Sequence, residues 1–65
     1  MINTNLLRVE WVKKGLTQKQ VAERLGISSK TFTSRMKKRV FKSDEIEELI
    51  NILEIENPMP IFFAE

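Results

Sequence analysis

Four stretches of the chain place apolar residues at the three- and four-residue spacing of an amphipathic α-helix. They predict helices over about 4–14, 18–25, 29–37 and 44–54, followed by a short turn over 58–63. The clearest buried stripe is Ile46, Leu49, Ile50 and Leu53 in the fourth helix, which starts at Ser43. The pattern predicts an all-α fold, a compact bundle of four to five helices in a single domain over residues 1–65.

The second and third predicted helices are joined by a very short turn. Thr17 and Gln20 have the spacing of a capping box, so a helix starts at residue 18. Gly26 suits the left-handed conformation that ends it, and Ser28 caps the next helix. Helices joined so closely cross at roughly 90–120°. The segment therefore predicts a helix-turn-helix, which presents its second helix to the major groove of DNA.

The first helix has more apolar residues than one packing face requires. Either Leu7 with Trp11 or Leu6 with Val9 faces the core, because a domain this small cannot bury both pairs equally. Trp11 then either meets a partner or lies over the edge of the core.

The end of the chain carries a compact apolar plug at residues 61–63. It either folds back on the core or docks on a second copy, and we expect a mixture, with one or two of its side chains buried at home. The predicted dimer or partner surface therefore comprises Trp11, Ile61, Phe62 and Phe63.

Length and composition narrow the class of protein. A 65-residue chain buries only about 60% of its unfolded surface, so helix packing or dimerisation must add stability. The chain has no cysteine and no histidine, which excludes disulfides and the usual zinc sites, and we expect no metal or cofactor. No apolar run is longer than four residues, so we expect neither a signal peptide nor a membrane span, and a cytoplasmic location.

Charge is strongly segregated along the chain. All eleven Lys and Arg residues lie between Arg8 and Lys42, with only two acids among them, giving +9, whereas seven acids and no base follow from Ser43 onward. Residues 30–42 hold six basic residues and no acid. Ordinary solvated helix faces usually mix the two signs, so the run indicates a surface that binds phosphate.

The third helix supplies the candidate contacts to base edges. Phe32 and Met36 are four residues apart and face inward, which leaves the hydroxyl and lysine side chains outside. Short hydroxyls approach base edges closely, and Lys30 is placed to donate to guanine O6 or N7. The predicted base contacts are Ser29, Lys30, Thr33 and Ser34. For Ser29 and Thr31, ordinary helix-capping chemistry is the alternative.

Phosphate contacts are expected at the start of the second helix and in the basic run. The predicted residues are Thr17, Gln18, Lys19, Lys37, Lys38, Arg39 and Lys42.

Three runs carry a recognisable pattern: residues 15–18, Val21-Ala22 and residues 25–28. With Phe41, Glu45-Ile46 and the ending from Glu56, they resemble the Cro and lambda-repressor family of helix-turn-helix proteins, often called XRE-type, and especially its small phage-encoded members. The resemblance implies a transcriptional regulator, commonly a repressor, that binds a palindromic operator as a homodimer. It also implies that Gln18 touches phosphate and braces the recognition helix.

Two positions depart from that family. Many members have a basic residue where this chain has Trp11, so a bracing ion pair is absent there. Many also have a glycine after the recognition helix, whereas residues 37–40 have none.

The alternatives to a DNA-binding regulator are a protein-interaction module and an enzyme. A protein-interaction module, such as an antirepressor or modulator that binds a second phage regulator, would use Trp11 and the plug at residues 61–63. An enzyme is not expected, because the chain lacks histidine and cysteine and its carboxylates lie on exposed helix faces.

Overall fold

The computed structural model describes residues 1–63, and the chain forms five helices there. They are α1 (Thr4–Lys13), α2 (Gln18–Leu25), α3 (Ser29–Lys38), α4 (Ser43–Leu53) and α5 (Met59–Phe62). No strand occurs among these residues, so the prediction of an all-α fold is confirmed. Each helix bound lies within one residue of its predicted position, and residues 64–65 of the predicted domain lie outside the described part.

Side-chain caps start the first three helices. Asn3 accepts the N–H of Leu6, and Ser28 accepts the N–H of Thr31. Thr17 and Gln20 form the predicted capping box, with bonds of 2.9 and 3.1 Å. In α4 the cap position is Lys42 rather than Ser43, and its backbone N–H donates to the Glu45 carboxylate at 2.8 Å.

Left-handed residues end the first four helices. Gly15 and Gly26 have φ of 71° and 82°, as glycine readily does. After α3 and α4 the same role falls to Arg39 and Glu54, with φ of 57° and 51°. The family's usual glycine is therefore replaced by Arg39, and α3 ends at Lys38.

The core is built around Phe32 of α3, which is fully buried. The Trp11 ring meets its edge with centroids 5.7 Å apart, and the Phe41 ring lies 5.5 Å away on a tilted plane. Ala22 supplies the small side chain on α2, the helix that contacts α1, α3 and α4. Around this centre pack the fully buried aliphatic residues Leu7, Val21, Leu49 and Leu53.

Burial decides between the alternatives for α1. Leu7 and Trp11 face the core, whereas Leu6, Val9 and Val12 are exposed. In α4 the predicted stripe is only half buried, because Ile46 and Ile50 are partly exposed at its edge.

Three of the four residues of the predicted partner surface are buried within the chain, and two of them, Ile61 and Phe62, are plug side chains of the kind expected to bury at home. Trp11 is 3% exposed because it packs against Phe32, and Ile61 and Phe62 are buried with it. The plug folds back because α5 docks on α1, where the N–H of Asn3 donates to the carbonyl of Ile61 at 2.7 Å. Phe63 alone of the four stays exposed, at 57%.

None of the helices in the described residues has the length and apolar content that a membrane span requires.

Replacing Arg39 tests the strain at the end of α3. Arg39→Ala and Arg39→Gly remove the same side chain, but only glycine relieves the left-handed backbone. We expect the glycine variant to be more stable than the alanine variant by about 1 kcal/mol, measured by urea unfolding. Equal stability of the two variants would show that the conformation at residue 39 carries no strain.

Candidate DNA-binding surface

A hydrogen bond joins the two helices of the helix-turn-helix. The Gln18 side chain, at the first position of α2, donates from Nε2 to Thr33 Oγ1 of α3 at 3.2 Å. The resemblance implies a brace at Gln18, and Thr33 is the group it contacts. The start of α2 and the outer face of α3 therefore form one continuous surface.

Four side chains of α3 line an open depression on the outside of the bundle: Lys30, Thr33, Ser34 and Lys37. Their spacing of three, four and seven residues places them on one helix face, opposite Phe32. The structure thus brings together three of the four residues predicted for base contact. It adds Lys37, which the sequence analysis placed among the phosphate contacts.

Capping accounts for part of the first turn of α3. The Ser28 hydroxyl accepts the Thr31 N–H at 3.1 Å and donates to Thr31 Oγ1 at 2.9 Å. The capping alternative is therefore confirmed for Thr31. Ser29 is exposed at the start of the helix, beside the depression rather than among its lining residues.

Most of the predicted phosphate contacts lie on exposed side chains. Thr17 serves the capping box, and Gln18 is partly buried by its bond to Thr33. Within residues 1–63, no carboxylate pairs with the remaining five, which are Lys19, Lys37, Lys38, Arg39 and Lys42. Their charges face solvent and are available to a polyanion.

An ion pair that was not predicted from the sequence holds α3 to α4. Arg35 donates from Nε to Glu45 Oε1 at 2.8 Å and from an Nη to Oε2 at 3.0 Å. Glu45 is 7% exposed, and it also accepts the backbone N–H of Lys42. One signal was present in the sequence: Arg35 lies beside the inward-facing Met36, where a cation needs a partner.

Burial raises the pKa of Glu45. The hydrogen bonds from the Arg35 side chain and from the Lys42 backbone N–H, together with the positive charges of these two side chains, lower it by more. The pKa of Glu45 therefore lies below its ordinary value. At the other end of α4, the Lys14 side chain donates to Glu54 and lowers the pKa of that exposed carboxylate. The pairing of Arg35 removes one charge from the basic run that the sequence analysis assigned to phosphate binding.

A comparison with protein families supports this reading of the α2–α3 surface. The family model for winged helix-turn-helix DNA-binding matches residues 11–38. That segment begins at Trp11 and ends with the last residue of α3. The arrangement of α2 and α3 is that of a helix-turn-helix, and the segment is similar to the DNA-binding motif that this family model describes.

The match is confined to the motif. It spans fewer than half of the 65 residues, and the described part of the chain has no strand from which a β wing would be built. No curated protein and no solved structure matches the sequence.

The Arg35–Glu45 pair makes stability depend on pH. A carboxylate with a lowered folded-state pKa contributes fully above its ordinary value of 4.5, and the contribution disappears as pH falls through the folded-state pKa. We expect Glu45→Gln to cost about 1–2 kcal/mol at pH 7, because two charge-assisted bonds weaken. The difference from the unsubstituted protein should shrink steadily below pH 4.5 in urea unfolding.

The matched control is Glu54→Gln, since Glu54 also has a lowered pKa but lies on the surface, where it pairs with Lys14. It should change stability much less at neutral pH. A Glu45→Gln penalty that stays constant from pH 7 down to acid would contradict the assignment of the effect to ionised Glu45.

Proposed function

We propose that this chain is a sequence-specific DNA-binding regulator that places α3 in the major groove. The observation that carries the proposal is the exposed lysine and hydroxyl face of α3, whose orientation is held from both sides. Gln18 of α2 holds it through Thr33, and Glu45 of α4 holds it through Arg35. A recognition helix needs such rigid support, because contacts to bases tolerate little displacement.

The surface divides into two kinds of contact. Ser29, Lys30, Thr33 and Ser34 are the proposed contacts to base edges, which supply specificity. The cations without carboxylate partners, together with the N-terminus of α2, supply affinity and position through phosphates. Lys37 fits both kinds of contact, since it is a predicted phosphate contact and also lines the depression with Lys30.

The proposed type of regulator is a repressor or Cro-like switch protein, encoded by a phage or prophage. Support comes from the resemblance to small phage-encoded members, which runs from Gly15 to the apolar ending at residues 61–63. The structural support is the all-α architecture, in which α4 and α5 complete the core where a winged protein would have strands.

A modulator that binds a partner repressor is the second candidate. It loses most of its predicted surface, because Trp11, Ile61 and Phe62 are buried. What favours it is the outer face of α1, where Leu6, Val9 and Val12 are between 39% and 63% exposed. DNA binding by the isolated protein separates the two candidates.

DNA binding is tested by selecting duplexes from a random pool and titrating the enriched sequence. We expect the double variant Lys30→Ala, Thr33→Ala to lose specific binding while remaining folded by circular dichroism. If four to six phosphates are neutralised per monomer, log K should fall against log salt with a slope of roughly −4 to −5 per monomer.

The control for the double variant is Lys13→Ala, which removes a lysine that pairs with Glu10 beside the groove between α1 and the end of α4. It should leave affinity within about twofold, since it is remote from the depression on α3. A flat salt dependence would exclude the DNA-binding function.

We also propose that the regulator acts as a homodimer, as a palindromic operator requires. Phe63 is the exposed member of the predicted interface. We expect Phe63→Ser to weaken dimerisation by about tenfold in sedimentation equilibrium, because an apolar anchor is lost. Val40→Ser changes an equally exposed apolar residue after α3 and serves as control. A single monomer on each selected duplex would contradict the proposal.

A further inference from the structure

The outer face of the recognition helix combines lysines, which only donate hydrogen bonds, with short hydroxyl side chains. Residues 29–38 include no asparagine, glutamine, aspartate or glutamate. Those are the side chains that read adenine bidentately or accept from the amino group of cytosine. Lys30 and Lys37, which line the depression, can only donate, so the hydroxyls alone are left to accept.

The bond from Gln18 restricts what Thr33 can do. A hydroxyl has one proton to donate and two lone pairs to accept with. Gln18 Nε2 donates to Thr33 Oγ1 at 3.2 Å, so this contact uses a lone pair and leaves the proton free. Thr33 is exposed, and its proton is therefore available to an acceptor on the DNA. Next to Lys30, Thr33 therefore offers a second proton, and one of its two lone pairs is already used by Gln18.

The bases differ in how they meet such donors. Guanine presents two neighbouring acceptors, N7 and O6, at its major-groove edge. Adenine presents N7 beside an amino donor, and cytosine presents an amino donor, so an ammonium group meets a donor at both. Thymine offers the single acceptor O4 and a methyl group, which suits the hydroxyl and methyl of threonine.

We propose that the operator half-site carries a guanine read by Lys30, next to a base pair that presents an acceptor, guanine or thymine, to Thr33. The three-residue separation corresponds to a rise of about 4.5 Å along the helix, comparable with the base-pair step of about 3.4 Å, so the two contacts fall on adjacent pairs. The inference rests on the proposed function and specifies the sequence class that the same surface recognises.

The experiment selects duplexes from a random pool with the full 65-residue chain and measures affinities for the enriched sequence. Each guanine is then replaced in turn by 7-deazaguanine, which lacks the N7 acceptor and keeps Watson–Crick pairing. We expect one replacement to lower affinity about tenfold in the unsubstituted protein and to have almost no effect with Lys30→Ala. Lys30→Arg should keep the guanine preference, whereas Lys30→Gln should shift it to adenine.

A second set of variants tests the direction of the hydrogen bond at Thr33. Glu at position 18 can only accept when ionised, so Gln18→Glu draws the Thr33 proton inward and leaves its oxygen to accept from the DNA. Repeated selection should then favour an amino-bearing base at the adjacent pair. Thr33→Val keeps the shape and the methyl contact but has no proton to donate, so it should lose discrimination there.

The outcomes separate this inference from the proposed function. A pool that never enriches overturns both. An enriched sequence that binds equally well with every guanine replaced overturns the reading of guanine by Lys30. A Gln18→Glu protein with an unchanged preference overturns the role of Thr33 as a donor, and both results leave DNA binding intact.

Discussion

The packing of Phe32 fixes the rotation of α3 about its own axis, and the rest of the surface depends on that rotation. Phe32 is fully buried between the rings of Trp11 and Phe41. Because side chains three and four residues apart share a helix face, burying Phe32 and Met36 turns Lys30, Thr33 and Lys37 outward. Aromatic edge contacts are directional, so this cluster sets an angle as well as supplying buried area.

Polar contacts then fix the tilt of α3 that apolar packing leaves free. Gln18 holds the outer side of the helix near its middle, and Arg35 holds the inner side one turn from its end. The family expectation was a bracing ion pair at the position of Trp11. This chain has an aromatic ring there, and its ion pair joins Arg35 to Glu45. α3 is therefore held from both neighbouring helices, α2 and α4.

The features predictable from the sequence are those set by residues close together in the chain. The Thr17–Gln20 capping box and the left-handed Gly26 need only a few neighbouring residues, so the turn of the motif was predicted. The choice between Leu7 with Trp11 and Leu6 with Val9 depends on which face α2 and α5 cover, which spacing within α1 does not reveal. The Arg35–Glu45 pair joins two helices across a turn, so the spacing of residues within α3 could not identify Glu45 as the partner of Arg35.

The left-handed end of α3 at Arg39 also depends in part on a residue that is distant in the sequence. The arginine side chain does not favour a left-handed conformation, but two backbone bonds hold it at Arg39. The N–H of Val40 donates to the carbonyl of Arg35 within the helix end, and the N–H of Ile2 donates to the carbonyl of Arg39 from the start of the chain. One local and one distant bond thus hold a conformation that the residue itself disfavours.

The basic end of α3 is tolerated in the free protein for a physical reason. Lys37, Lys38 and Arg39 are consecutive cations, and their mutual repulsion opposes folding. They lie in the last turn and at the C-cap of α3, where the negative end of the helix dipole offsets part of that repulsion. Glu45 neutralises Arg35, the cation nearest to them on the buried side. What remains is a set of exposed charges that a phosphate backbone would neutralise more completely than the protein itself does.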